Sequence, residues 1–183
     1  MSSARVTDAS AGTVEIRDLG SFDGLVVRGS TEARSALELG QLDGARVAVV
    51  GPGARLAPDL RRLAARPAAT KVFHTEPAWI LPYVPGTGMV ARAGWSALPH
   101  SVDRRATEMA ARAHLRRHVR DPWERRQLTP TSAPTRHNVA HSNSFYRCLR
   151  KVELIHWPVA GPCPEGLRTA DGIEHHVDVI VVL

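Results

Sequence analysis

A glycine-containing turn has the clearest potential for chemistry in this chain of 183 residues. The apolar run Arg46 to Val50 leads directly into Gly51-Pro52-Gly53, and leucines at helical spacing follow. Two glycines between a strand and a helix let a phosphate group approach the free N–H groups at the helix N-terminus. The pattern therefore indicates a binding site for a dinucleotide.

The motif is incomplete, because the usual spacing of such turns is G-x-G-x-x-G. Leu56 occupies the place of the third glycine, which normally lets helix and strand pack closely. Pro52 also removes one N–H that a phosphate would contact. The residues alone leave three interpretations open: a dinucleotide site, the relic of one, or an ordinary strand–turn–helix unit.

The elements around this turn alternate between strands and helices, which predicts an α/β fold with a mainly parallel sheet. The last strand is apolar on both faces, as a buried parallel strand requires. Residues 121–142 are expected to be irregular, and the twenty residues from Pro82 are expected to form a loop. We expect strands at 13–16, within 21–30, and at 46–50, 71–74, 152–157 and 177–183, helices at 54–66, 101–120 and 145–149, and a hairpin turn at Asp171-Gly172.

Composition limits the compartment and the partners. Hydrophobic residues make up 43% of the chain, which is typical of a globular protein. No apolar run is long enough to span a membrane, the start lacks the apolar core of a signal peptide, and only Cys148 and Cys163 are available for disulfides. We therefore expect a cytoplasmic protein without a membrane partner.

The net charge of +6 comes mostly from arginine, because lysine occurs only at Lys71 and Lys151. Arginine can neutralise nucleic-acid phosphates, but here it is scattered, mixed with acidic residues and not part of a nucleic-acid motif. We therefore expect no nucleic-acid partner.

The histidine and tryptophan residues are expected to have structural roles. His114 and His118 have a metal-chelating spacing, but no further ligand completes a site, so a solvated helix face and no metal are expected. His175 and His176 are predicted to be surface residues on opposite faces of a strand. The four tryptophans are expected to anchor the core and the loops.

The stretch from Arg46 to Pro82 resembles the NADP-binding domain of flavin-dependent monooxygenases, especially those of the Baeyer–Villiger type. The shared features are the G-x-G-A turn, a strand that ends in Val72-Phe73, and the Pro-x-Trp-x-x-Pro segment that begins at Pro77. Later segments resemble the same domain in the same order: His114–Pro130, His141–Leu149 and Gly166–Leu183. The resemblance implies a Rossmann-like domain over residues 22–183, with a helical insertion and a C-terminal hairpin, after a tail at residues 1–21.

Three motifs of that family are altered. The family fingerprint Phe-x-Gly-x-x-x-His-x-x-x-Trp keeps its first two positions, but arginine and glutamate replace the histidine and the tryptophan. The family's Gln-Arg-Thr, which grips a ribose 2′-phosphate, is replaced here, and the acidic residue suits a free 2′-hydroxyl instead. The family's Lys-Arg pair aligns with a histidine and an asparagine, and Arg136 could replace that arginine only if the loop shifts by two residues. The positions are Phe22, Gly24, Arg28 and Glu32 for the fingerprint, His74, Thr75 and Glu76 for the second motif, and His137 and Asn138 for the pair.

The resemblance implies a system in which FAD oxidises NADPH and reacts with oxygen. This chain has no second glycine motif for FAD and too few residues before Phe22 for an FAD domain, so we expect FAD to come, if at all, from a separate chain. The expected function is a monooxygenase-like, NAD(P)-binding oxidoreductase domain without independent catalysis and without identified catalytic residues. A non-catalytic nucleotide-binding or protein-interaction module is the alternative. The expected cofactor contacts are Gly51, Gly53, Ala54, Arg55, His74, Thr75 and Glu76.

Overall fold

The computed structural model describes residues 19–83 and 100–183, with side chains from residue 104 onward in the second range. The strand expected at residues 13–16 and most of the loop expected after Pro82 lie outside these residues. Within the described ranges, no helix is long and apolar enough to cross a membrane. The cytoplasmic location stays a prediction.

Ten strands and five helices are described. The strands are β1 (Leu25–Arg28), β2 (Arg46–Gly51), β3 (Ala69–His74), β4 (Trp79–Leu81), β5 (Val139–His141), β6 (Glu153–Ile155), β7 (Val159–Cys163), β8 (Gly166–Thr169), β9 (Glu174–His176) and β10 (Val179–Val182). The helices are α1 (Gly29–Glu38), α2 (Gly53–Leu63), α3 (His100–His118), α4 (Pro122–Gln127) and α5 (Phe145–Leu149).

Five parallel strands form the main sheet in the order β1-β10-β2-β3-β6. Strands β4 and β5 form a separate parallel pair. Strands β7, β8 and β9 form an antiparallel sheet, which contains the hairpin expected around Asp171-Gly172. The mainly parallel α/β sheet and the C-terminal hairpin are therefore confirmed.

The main sheet is buried on both faces. Successive side chains of β2 point to opposite sides, as the period of a strand requires. Val47 and Val49 join one core cluster with residues from α1, α2 and α5, whereas Ala48 and Val50 join another with β7 and β8 residues. The strands therefore lie in the middle of three layers, with helices on one side and the antiparallel sheet on the other.

Strand β10 lies inside the sheet, as its apolar sequence predicts. Val179 pairs with Leu25 on one side and Val47 on the other. The Asp178 carboxylate accepts hydrogen bonds from the backbone N–H of Arg46 at 2.8 Å and from its Nη2 at 2.6 Å. These bonds lower the pKa of Asp178 to about 2 and fix the register where β2 and β10 begin.

Two parts of the chain contain more regular structure than the sequence predicts. Helix α1 follows β1 directly, although only the strand was expected in this part of the chain. Residues 121–142, expected to be irregular, contain α4 and β5. Asp121 caps α4 by accepting a hydrogen bond from the Trp123 N–H, and Pro122 occupies the first turn.

The prediction for His175 is wrong, because this side chain is buried between the main sheet and the hairpin. Its ring contacts the Phe73 ring edge-on, with centroids 5.2 Å apart. The Thr169 hydroxyl donates to Asp171 at 2.6 Å and lies 3.1 Å from His175 Nε2, so Nε2 carries the proton. His175 Nδ1 then accepts from Lys71 Nζ at 3.5 Å. The residue ties the two sheets together.

The tryptophan prediction is correct only in part. Trp79 is buried, and its indole N–H donates to the carbonyl oxygen of Ser132 at 3.0 Å. Trp123 and Trp157 are exposed. Trp95 lies outside the described residues.

Replacing Ile180 by alanine should greatly weaken the fold, because its side chain is fully buried in the central strand β10. We expect the free energy of unfolding to fall by about 2–5 kcal/mol, the range for large-to-small changes in a core. Urea denaturation measures this change. Ile173→Ala is the control, since Ile173 is 55% exposed; equal losses in the two variants would contradict the central position of β10.

Candidate functional site

The glycine turn lies at the carboxyl edge of the main sheet, between the ends of β2 and β10. From β2 the chain continues to β3 and β6 on one side, and it later returns to β10 on the other side. Ligands of open α/β sheets bind at such a reversal of strand order. The fold therefore places Gly51 where a dinucleotide site is expected.

Gly51 is required by the close approach of Leu183. A Cβ added at Gly51 would lie 3.0 Å from both the Cβ and the carbonyl oxygen of Leu183. The Leu183 N–H donates to the carbonyl oxygen of Val50 at 2.9 Å, which extends the pairing of the two strands to this point. The first glycine thus has a packing role at the end of β2.

Gly53 lies against the segment that follows β3. An added Cβ would be 3.0 Å from Nε2 of His74 and 3.2 Å from both the Cβ and the N of Ala78. The Gly53 N–H donates to the carbonyl oxygen of Glu76 at 2.8 Å. The chain itself therefore occupies the space in front of the second glycine, where the sequence predicts a pyrophosphate.

The first turn of α2 satisfies much of its own hydrogen bonding. The N–H groups of Arg55 and Leu56 both donate to the carbonyl oxygen of Pro52, at 3.0 and 3.1 Å. Leu56 is buried in the core, whereas the Arg55 side chain is exposed and Ala54 is half-buried. Of the expected phosphate contacts, the exposed guanidinium of Arg55 is therefore the most accessible.

The next three expected contacts follow one another where β3 ends. Burial, and to a smaller extent the neighbouring His156 imidazole, lowers the pKa of His74 to about 4, so the ring is neutral at pH 7. The Thr75 hydroxyl is buried without a hydrogen-bond partner among the described residues. Glu76 is exposed. At pH 7 these three residues therefore contribute one carboxylate and no positive charge to this edge of the sheet.

The fingerprint positions lie on β1 and α1. Phe22 is buried, and a Cβ added at Gly24 would be 2.5 Å from the carbonyl oxygen of Asp178 and closer still to the Phe22 ring. The Arg28 N–H donates to the Glu32 carboxylate at 2.8 Å. The two retained positions thus pack the start of β1, and the two altered ones form a polar contact between β1 and α1.

Asn138, which aligns with the family's arginine, stabilises the loop before β5. Its Oδ1 accepts from the Thr135 N–H at 2.7 Å, and its Nδ2 donates to Ser132 Oγ at 2.9 Å. Its carbonyl oxygen accepts from the Trp79 N–H at 2.8 Å. Arg136 and His137 are exposed in the preceding turn. This segment therefore has a structural role in the described chain.

His114 and His118 are more enclosed than the expected solvated face. Both rings lie against Tyr146, with centroid distances of 5.4 and 5.9 Å, and His114 Nε2 is 3.3 Å from the carbonyl oxygen of Ser142. Burial, and then the neighbouring His118, lowers the pKa of His114. Among the described residues, no group of three or more histidine, cysteine, aspartate or glutamate side chains could hold a metal.

Three residues that shape the site were not identified from the sequence. Leu183 was expected as the end of a buried strand, and the parallel pairing of β2 with β10 would bring it to Gly51. Nothing in the spacing of Ala78 or His156 indicates that they approach Gly53 and His74. The first of these three could have been found from the sequence, and the other two depend on the path of the chain after β3.

Comparison with known proteins identifies relatives for most of the chain. No family model matches it. Proteins described as uncharacterized monooxygenases of Mycobacterium tuberculosis and Mycobacterium bovis are 30% identical over 165 residues, which cover 76% of this chain and 33% of each relative. The chain thus spans about a third of the length of these curated relatives.

Solved structures share the fold. An open crystal structure of cyclohexanone monooxygenase matches 90% of this chain and 43% of its own, with a TM-score of 0.67 and 18% identity. A cyclohexanone monooxygenase from Rhodococcus bound to NADP+ matches 90% and 42%, with a TM-score of 0.66 and 17% identity. A structure of OTEMO in complex with FAD and NADP matches 92% of this chain and 43% of its own, with a TM-score of 0.67 and 17% identity.

Replacing Gly53 by alanine should destabilise the protein, because the new Cβ would press on His74 and Ala78. We expect a loss of about 1–3 kcal/mol, as for other insertions into packed regions. Gly161→Ala is the matched control, since nothing lies within 4 Å of a Cβ added there. Urea denaturation compares the two variants; equal free energies of unfolding would contradict the close packing of Gly53.

Acid should destabilise the fold through His74. The pKa of His74 is lowered in the folded state, so the unfolded chain binds the proton more readily. The resulting stability is present above pH 6.5 and is lost as the pH falls towards 4, by up to about 1.4 kcal/mol per pH unit. Thermal unfolding across this range should show a smaller slope for His74→Gln than for the unmodified chain, and an unchanged slope would contradict the burial of the imidazole.

Proposed function

Because the chain is a relative of monooxygenases and resembles part of a Baeyer–Villiger-type flavin monooxygenase, we propose that it is a nicotinamide-nucleotide-binding domain of this type, without catalysis of its own. The observation that carries the proposal is the position of the Gly51 turn. It lies at the start of α2, at the reversal of strand order where dinucleotides bind.

The proposed ligand is NAD(H) rather than NADP(H). Thr75 stands where the family has a phosphate-binding arginine, so a charge-assisted hydrogen bond to a 2′-phosphate is missing. The exposed carboxylate of Glu76 would repel a 2′-phosphate, whereas it can accept a hydrogen bond from a ribose hydroxyl. Arg55 is the residue that we propose for contact with the pyrophosphate.

Binding should be weak. The pyrophosphate of a dinucleotide requires unused N–H groups at the helix N-terminus, but the N–H groups of Gly53, Arg55 and Leu56 have acceptors within the chain. Pro52 has no N–H to offer. Binding must therefore break internal hydrogen bonds or rely on the Ala54 N–H and the Arg55 side chain.

Monooxygenase catalysis would require FAD in addition to a nicotinamide nucleotide. The solved structure of similar fold that contains FAD and NADP is more than twice as long as the part that this chain matches. Arg28, Glu32 and Asn138 stand where the resemblance expects a histidine, a tryptophan and an arginine, and the three are engaged in contacts within the chain. We therefore expect no NADPH oxidation by the purified chain.

A second candidate function is a module that keeps the fold but binds no nucleotide, and that acts instead through a protein partner. The closed arrangement around Gly53 favours this alternative, because His74 and Ala78 occupy the approach to the second glycine. The two candidates differ in whether the purified chain binds any dinucleotide.

Calorimetric titration with NAD and NADP tests the proposal. We expect weak binding that favours NAD, since the loss of one charged hydrogen bond, worth ~1.5–3 kcal/mol, lowers the affinity for NADP about tenfold or more. The double variant Thr75→Arg/Glu76→Thr should gain affinity for NADP.

Glu174→Thr is a control for the charge change, since Glu174 is on the hairpin and pairs with Arg168. It should leave both affinities unchanged. Tighter binding of NADP than of NAD by the unmodified chain, or no gain in the double variant, would overturn the proposed preference. Absence of binding to both dinucleotides would favour the second candidate.

A further inference from the structure

A cavity rich in arginine lies between α3 and α4, away from the glycine turn. Its volume is about 460 Å³. Four arginine residues line it, together with apolar side chains and the threonines that follow α4, and no acidic residue is among the described residues that line it. The arginines are Arg112, Arg116, Arg125 and Arg126.

Three of the four guanidinium groups have hydrogen-bonding capacity that the chain does not use. The Nε–H of Arg125 is buried and has no acceptor among the described residues. The side chains of Arg116 and Arg126 are exposed, and neither makes a hydrogen bond or an ion pair within the described part of the chain. Arg112 is engaged through an ion pair with Glu108 at 2.6 Å, and its Cζ lies 5.8 Å from the centroid of the Trp79 ring.

This arrangement disfavours the folded chain on its own. Arg112 and Arg116 are four positions apart on one helix face, where like charges repel each other. A buried donor without an acceptor carries a further desolvation cost. A bound anion would relieve the repulsion, because it would place negative charge beside these guanidinium groups.

The contrast with a second cavity strengthens the argument. The cavity between α1 and α2 is also lined by arginines, but Asp59 and Glu38 are part of its wall. There the Nε–H of Arg34 donates to the buried Asp59 carboxylate at 2.9 Å. Positive charge is thus partly balanced by the chain between α1 and α2, and it is not balanced by any lining carboxylate between α3 and α4.

We propose that the cavity between α3 and α4 binds a phosphorylated small molecule. Guanidinium groups bind phosphate oxygens in a bidentate manner. Several of them around one cavity suit a ligand with the multiple negative charges of a phosphate better than a ligand with a single carboxylate. Leu115 and Pro130 form an apolar wall beside the guanidinium groups, against which the organic part of the ligand can lie. This site is independent of the proposed dinucleotide site.

Calorimetric titration with inorganic pyrophosphate tests the site on the complete chain at low ionic strength. The unmodified protein should bind pyrophosphate saturably. The double variant Arg116→Gln/Arg126→Gln should bind it at least tenfold more weakly, because it loses two unpaired charges from the cavity. Circular dichroism should show an unchanged fold, since both side chains are exposed.

The matched control is Arg104→Gln/Arg105→Gln, which removes the same charge from exposed positions of α3 that do not line the cavity. Its affinity for pyrophosphate should stay within twofold of that of the unmodified chain. Absence of saturable binding, equal weakening in both double variants, or equally tight binding of citrate would overturn the proposal. Failure of NAD to bind at Gly51 leaves these outcomes unchanged.

Discussion

The absence of side chains at Gly51 and Gly53 allows three parts of the chain to meet at the carboxyl edge of the main sheet. Leu183 lies beside the first glycine, and Ala78 and His74 lie beside the second. A Cβ added at either glycine would be closer to these neighbours than ordinary van der Waals contact allows. The strand β10 can therefore stay beside β2 to its end, and the segment after β3 can fold back over α2. The layered core on both faces of the sheet depends on this close fit.

The same feature explains why the glycine pair is ambiguous in the sequence. A phosphate that approaches the backbone and a polypeptide segment that does so both require a residue without a Cβ. In this structure a polypeptide segment fills the space at Gly53, and its Glu76 carbonyl oxygen accepts the hydrogen bond that a phosphate oxygen would accept. Solved structures bound to NADP share the fold of this chain, so the topology alone does not decide between binding and packing at Gly53.

Elements with a strong pattern were predictable. The apolar runs of β2 and β10, the helix α5 and the hairpin around Asp171-Gly172 occur where periodicity and turn residues indicate them. Helix α1 was missed because it begins at Gly29, with a φ of +81°, and buries mainly two alanines and one leucine, which give a weak apolar stripe. Helix α4 does have a sequence signal, an aspartate cap followed by proline, but it is short and has no buried residue.

The candidate site was less predictable than the fold. The carboxyl edge of β2 and the residues at the end of β3 follow from the strand order, so their proximity could be inferred. The neutral state of His74 and the burial of His175 depend on layers that pack from distant parts of the chain, and neighbouring residues in the sequence do not determine them.

The position of β10 also has a consequence for how quickly the protein reaches its fold. Asp178 and Arg46, which begin the central pairing, are 132 positions apart, and β10 must enter between two strands from the other end of the chain. Such non-local parallel pairing requires closure of a long loop before it yields favourable contacts, and it is associated with slow folding. Until β10 is in place, the edges of β1 and β2 remain open for pairing with other chains. The more slowly β10 joins the sheet, the longer the partly folded protein is prone to aggregate.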